Sequence, residues 1–87
     1  MDITITISDD DKKLLENDLL DIQAWADEMV AGKVNQCWKR FQQEWTVRLM
    51  NDPDFTGPIP SNKADFIVLV TARDDYSNRA ERDNNNP

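Results

Sequence analysis

Apolar and polar residues alternate without interruption near the start of the chain, through Ile3-Thr4-Ile5-Thr6-Ile7, and every residue of the run is β-branched. A two-residue period of stiff, branched side chains predicts a strand over 3–7 with one buried face. Ser8-Asp9-Asp10-Asp11 follows and reads as a helix N-terminus. Ser8 or Asp9 caps the first free N–H groups, and the acids suit the positive end of the helix dipole.

From there the period becomes helical. Leu15, Leu19, Ile22, Ala26 and Met29 are spaced four, three, four and three apart; Val34, Trp38, Phe41 and Trp45 are spaced four, three and four apart. Each set lies on one helix face, and together they predict a long helical stretch over 9–51. The step from Met29 to Val34 is five residues, where a continued heptad needs four. At roughly 100° per residue, that turns the apolar face by about a quarter turn. Gly32 lies inside the step, so the helix kinks there, takes a bulge, or runs straight and faces a different neighbour. A lone glycine costs only about 1 kcal/mol in a helix, which favours near-continuity. A second place for a break is Asp18 to Asp21, with Asp21 capping a new helix from Ile22.

Asn51-Asp52-Pro53 ends the long stretch, and Thr56-Gly57-Pro58-Ile59-Pro60 makes a rigid turn. A shorter helix is expected over 61–73, with Ser61 at its N-cap. Residues 66–71 are β-rich and offer an alternative, an α+β fold with a second strand at 66–71 pairing with 3–7. Residues 74–87 read as a polar tail with a loose end at Asn84-Asn85-Asn86-Pro87. The expected fold is therefore mainly α, one domain over 1–87: an N-terminal β-strand, a long helix, either kinked or continuous, a shorter C-terminal helix and the tail.

Charge sharpens this picture. Residues 1–28 hold nine acids against Lys12 and Lys13, residues 29–51 hold four bases against Glu44, and residues 52–87 hold seven acids against four bases. The net charge of −7 argues against non-specific binding to nucleic acid or anionic lipid, because both need a basic surface. No stretch approaches the roughly 20 apolar residues of a membrane span. One cysteine, Cys37, excludes an intrachain disulfide, and its place on the apolar side of the helix predicts a buried, inert thiol. A reducing cytosol is the expected place of synthesis and assembly.

Chemistry is sparse. Histidine is absent, which removes the usual general base and the commonest zinc ligand. Two glycines leave no phosphate-binding loop. Asp52-Pro53-Asp54-Phe55-Thr56-Gly57 opens like a calcium loop, but the twelfth position is Lys63 in place of a bidentate Glu, and prolines fall within the loop. No catalytic, cofactor or metal residue is expected.

A chain of 87 residues has limited capacity to bury apolar surface. Trp25, Trp38 and Trp45, with Phe41, exceed what it readily covers alongside Leu14, Leu20, Val30, Val47 and Met50. Tryptophan is enriched at binding hot spots. If 66–71 is helical, Ile3, Ile5 and Ile7 lie on a strand without a partner in the chain. The expected contact residues are therefore Ile3, Ile5, Ile7, Trp25, Trp38, Phe41 and Trp45. The partner is expected to be a protein, by self-association or on a larger component, with no nucleic acid and no membrane.

One further pattern concerns the order of features. Ile3–Ile7 leads into Ser8-Asp9; Asp21-Ile22-Gln23-Ala24-Trp25 and Ala31-Gly32-Lys33-Val34-Asn35-Gln36-Cys37 follow; Thr71 to Asp83 reads TARDDYSNRAERD. This order resembles small proteins encoded among the structural genes of tailed bacteriophages. The resemblance implies a virion or assembly role in the tail, fibre or neck, assembly in the host cytoplasm as an oligomer, and helix rather than strand for 62–73. It supplies no active-site residues. An acidic phage-encoded inhibitor or adaptor that binds a basic host protein is the other expectation, drawn from the charge of residues 1–28.

Overall fold

Each helix of the chain starts at a short polar side chain that takes up a free backbone N–H. Ser8 Oγ accepts from the Asp11 N–H at 3.2 Å, Asp21 Oδ1 from Ala24 at 3.0 Å, Asn62 Oδ1 from Asp65 at 3.2 Å and Asn78 Oδ1 from Glu81 at 2.9 Å. The computed structural model, which describes residues 1–85, accordingly contains α1 (Asp9–Asp18), α2 (Ile22–Met50), α3 (Lys63–Thr71) and α4 (Arg79–Asn85). The long helical stretch is broken at Leu19 to Asp21 and continuous through Gly32.

The N-terminal β-strand expected over 3–7 is not formed, and no strand occurs among the described residues. The alternative α+β fold fails with it, because 66–71 is helical in α3. The reason is pairing. Strand groups need a neighbouring strand for their N–H and C=O, and the one segment with a matching composition has formed its own hydrogen bonds. Two smaller expectations also change. Asn62, not Ser61, caps α3. The segment read as a polar tail contains α4 over Arg79–Asn85, while Asn86 and Pro87, part of the expected loose end, lie outside the described residues. The start of α4 is a reciprocal box: Glu81 Oε1 accepts from the Asn78 N–H at 3.2 Å while Asn78 caps Glu81.

The chain divides into two units, Met1–Gln36 and Cys37–Pro87. The second has a core. Trp45, Leu49, Phe66 and Val70 are buried, and Trp38, Phe41, Phe55, Ile59, Leu69 and Tyr76 pack against them. Phe66 meets Trp38 edge-on at 5.5 Å and Phe41 at 5.9 Å, while Trp45 stacks on Tyr76 at 6.2 Å. These are the offset and edge-to-face arrangements that aromatic quadrupoles favour. The residue spacing explains the choice of helix for α3: Phe66 and Val70, four apart, share the face that the core covers, and Val68 is left exposed.

Arg73 ties the loops of this unit together. Its Nη2 donates to Asp52 Oδ2 at 2.7 Å, and its Nε and Nη2 donate to the two oxygens of Asp75 at 2.9 and 3.1 Å. The Arg73 guanidinium, with the Asp54 N–H on Asp52, holds the Asp52 carboxyl below its ordinary range. The same guanidinium lowers Asp75, and the two acids raise Arg73 in return.

The first unit is built differently. Leu15, Leu19, Ile22 and Ala26 are half-buried, and no side chain of Met1–Gln36 is buried. From Asp27 to Cys37, about three helical turns, every residue of α2 is exposed. Cys37 is among them, so the expected buried thiol is a surface one. The out-of-phase step from Met29 to Val34 falls inside this exposed span, where no packing sets a preferred face.

Gly32 sits in that span with nothing within 4 Å of where a Cβ would stand, and its φ is not positive. Gly32→Ala therefore meets no steric objection and removes backbone freedom from the unfolded chain. It should stabilise the local helix by about 0.5–1 kcal/mol. Amide exchange across 28–36 should slow a few-fold, while the urea midpoint of the core in 37–85 stays where it is.

Candidate functional site

Among the described residues, exposed large hydrophobic side chains are distributed unevenly. Met1, Ile3, Ile5, Ile7, Leu14, Leu20, Trp25, Met29, Val30 and Val34 fall in the first unit, against Val47, Met50 and Val68 in the second. Single exposed apolar residues are ordinary; ten in 36 residues of a unit without a buried side chain form a surface that needs explaining.

Local sequence sets how this surface is presented. α1 ends at Asp18, Leu19 closes it by donating its N–H to Leu15 O at 2.8 Å, and Asp21 restarts the helix three residues later. Leu20 is left in the bend between them, fully exposed. Glu16, Leu19, Leu20, Asp21, Ile22 and Gln23 line an open notch of about 600 Å³ at this joint. Leucine and isoleucine supply three of its lining residues, and two others carry carboxylates. Trp25, 44% exposed, follows four residues after Asp21 and three before Glu28, so the indole shares a helix face with both acids.

The electrostatics of this unit are one-sided. Met1–Gln36 holds nine acids and three lysines. The only ion pair formed by these carboxylates among the described residues is Lys12–Glu16 at 3.6 Å, an exposed i,i+4 contact of small energetic consequence. Asp21 and Asp27 are engaged by neutral donors, the Ala24 N–H and the Gln23 amide.

The seven expected contact residues separate into two groups. Ile3, Ile5, Ile7 and Trp25 are exposed in the first unit. Trp38 and Phe41 are half-buried against the core of the second, and Trp45 is 6% exposed within it. Leu14, Leu20, Met29, Val30 and Val34 are also exposed in the first unit and add to its free apolar residues. Met29 and Val34 carried the clue, since they bracket the five-residue step at which no single face can be buried continuously.

In the second unit, Glu44, Trp45, Arg48, Asp75, Ser77 and Arg82 line a cleft of about 330 Å³. Its charges are already engaged. Arg48 pairs with Glu44 at 2.9 Å and lies 4.6 Å from the Trp45 ring centre, Arg82 donates to the Ser77 carbonyl at 2.7 Å, and Asp75 holds Arg73. The Asp52 carboxylate of the calcium-like stretch is likewise engaged by Arg73 and the Asp54 N–H, and no cluster of three or more His, Cys, Asp or Glu side chains converges among the described residues. No helix among them is long and apolar enough to cross a membrane. No family model, curated protein or solved structure matches the chain.

Proposed function

We propose that the protein is a non-catalytic assembly protein that docks on a larger protein component, or on copies of itself, through residues 1–36. The observation that supports this most is the contrast between the two units. Residues 37–85 cover their aromatic side chains with one another, whereas residues 1–36 form two helical segments without a buried side chain. Helices of 10 residues are marginal in water on propensity alone, so α1, which has no buried residue, would gain stability from a surface that receives it. The place of that partner in a tailed-phage virion, in tail, fibre or neck, rests on the resemblance in sequence order alone. The excess of acid in residues 1–36 favours a second reading, an acidic adaptor or inhibitor acting on a basic protein.

Tryptophan accessibility tests the docking reading. In the dilute isolated chain, acrylamide should quench Trp25 strongly and Trp45 weakly, as read from single-tryptophan variants. On binding its partner or at self-association, Trp25 should become shielded with Trp45 unchanged. A sedimentation profile of a 10.1 kDa monomer in which Trp25 is already shielded would show that residues 1–36 need no partner. Mass spectrometry of purified virus particles tests the virion placement separately; its failure leaves the docking reading standing.

A further inference from the structure

The docking reading leaves the partner's chemistry open, and the first unit carries enough detail to specify it. Three features fall within the stretch from Leu14 to Met29. Leu20 stands fully exposed beside a notch walled by Leu19 and Ile22. Trp25 and Met29, four residues apart on α2, continue the apolar surface at helical spacing, both about half exposed. Carboxylates border this surface throughout: Glu16 and Asp21 at the notch, Asp21 and Glu28 beside the indole.

We infer that this surface receives a basic amphipathic segment of a partner protein, its apolar side chains seated at Leu20 and Trp25 and its Lys or Arg side chains set against Glu16, Asp21 and Glu28. The inference rests on the docking reading above and deepens it. Charge decides among occupants. A second copy would bring five more acids and no lysine from its own residues 14–29, so self-pairing there sets like charges together in a partly desolvated contact. Nucleic acid and anionic lipid are repelled for the same reason. A free cation would leave the leucine and tryptophan surface exposed. A segment with a cationic flank and an apolar face satisfies both halves of the surface, in the way amphipathic helices fill apolar grooves. Steering by the acidic unit would also speed encounter and make it sensitive to salt.

The test uses the full chain and three synthetic peptides of equal length: an amphipathic Leu/Lys helix former, a scramble of the same composition without amphipathic spacing, and a Leu/Glu analogue of the first. Trp25 emission and calorimetry report binding. The amphipathic Leu/Lys peptide should bind saturably at one to one and at least about tenfold more tightly than the scramble, a difference near 1.4 kcal/mol. The Leu/Glu peptide should not bind, and raising the salt to about 1 M, where the Debye length falls to about 3 Å, should weaken the complex severalfold. Leu20→Ser and Trp25→Ala should each weaken it about tenfold or more, with circular dichroism unchanged because neither side chain is buried. Equal affinity for amphipathic and scrambled peptides would reduce the effect to bulk charge and overturn the inference. So would full affinity in Leu20→Ser. Failure of every peptide, with Trp25 shielded instead by dimerisation at high concentration, would overturn the inference and leave the docking reading intact.

Discussion

Phe66→Ala should leave residues 37–85 largely unfolded in dilute buffer at room temperature. Phe66 is fully buried and is the hub of the core, meeting Trp38 and Phe41 edge-on and sharing its helix face with Val70. Truncating a buried phenylalanine typically costs about 3–5 kcal/mol, the transfer loss plus the cavity left behind. A unit of about 50 residues has of order 3–8 kcal/mol in all, at roughly 0.05–0.15 kcal/mol per residue. The loss is therefore comparable with the whole stability, and no second layer of core exists to absorb it. Near-ultraviolet circular dichroism should collapse and the urea transition should move to very low denaturant. Phe66→Leu, which keeps most of the volume, should retain a cooperative transition at a lower midpoint. A penalty within about 1 kcal/mol for Phe66→Ala would mean that the aromatic cluster is not what holds α3 on α2.

Trp45→Ala should have an effect of comparable size, and its character should differ. The indole fills the core beside Leu49, stacks on Tyr76 at an interplanar angle of 11° and carries Arg48 at 4.6 Å over its ring. Removal again costs about 3–5 kcal/mol through burial alone. It also releases Tyr76 and deprives Arg48 of a face, a cation–π contact of about 0.5–1 kcal/mol at an exposed site. The residual folded population should therefore lose order in 73–85 before it loses α3, which amide exchange resolves by residue. Trp45→Phe preserves the stack and should be markedly milder. Peptide or partner binding by residues 14–29 should survive in whatever fraction remains folded, because Trp45 belongs to the core and not to the free surface.

Much of the helical architecture was readable from residues. Ser8 before three aspartates, Asp21 before Ile22, and Asn51-Asp52-Pro53 carry local chemistry that acts wherever it occurs, and the helix ends fall at or beside them. The spacing of Val34, Trp38, Phe41 and Trp45 predicts one face; from Trp38 onward that face packs in the core, while Val34 stays exposed. What escaped depends on distant partners. The alternation in 3–7 describes a strand only where a second strand exists, and 66–71, equally rich in β-branched residues, is instead held as helix by the Asn62 cap and by Phe66 and Val70 packing in the core. Cys37 shares a face with core residues by spacing alone, yet it sits one position ahead of the first packed residue, Trp38. α4 carries a local signal that the polarity of its segment hides: Asn78-Arg79-Ala80-Glu81 is a capping box, and Arg79 to Asp83 an i,i+4 pair at 3.3 Å. For the surface, burial capacity cannot tell which apolar residues a chain will cover first.

α2 is fastened unevenly along its length: its last three turns hold buried Trp45 and Leu49, and the turns before Trp38 hold nothing buried. A helix anchored at one end behaves as a zipper. Opening from Ile22 needs no new nucleus, since each lost hydrogen bond leaves an intact helical template behind it, and rewinding adds one bond per residue fixed. The free energy of opening should climb along a single helix, from near zero at its start to the global value around Leu49. A partner that covers residues 22–36 should therefore raise the cost of opening there, and the span of protected amides should grow with the number of residues it covers.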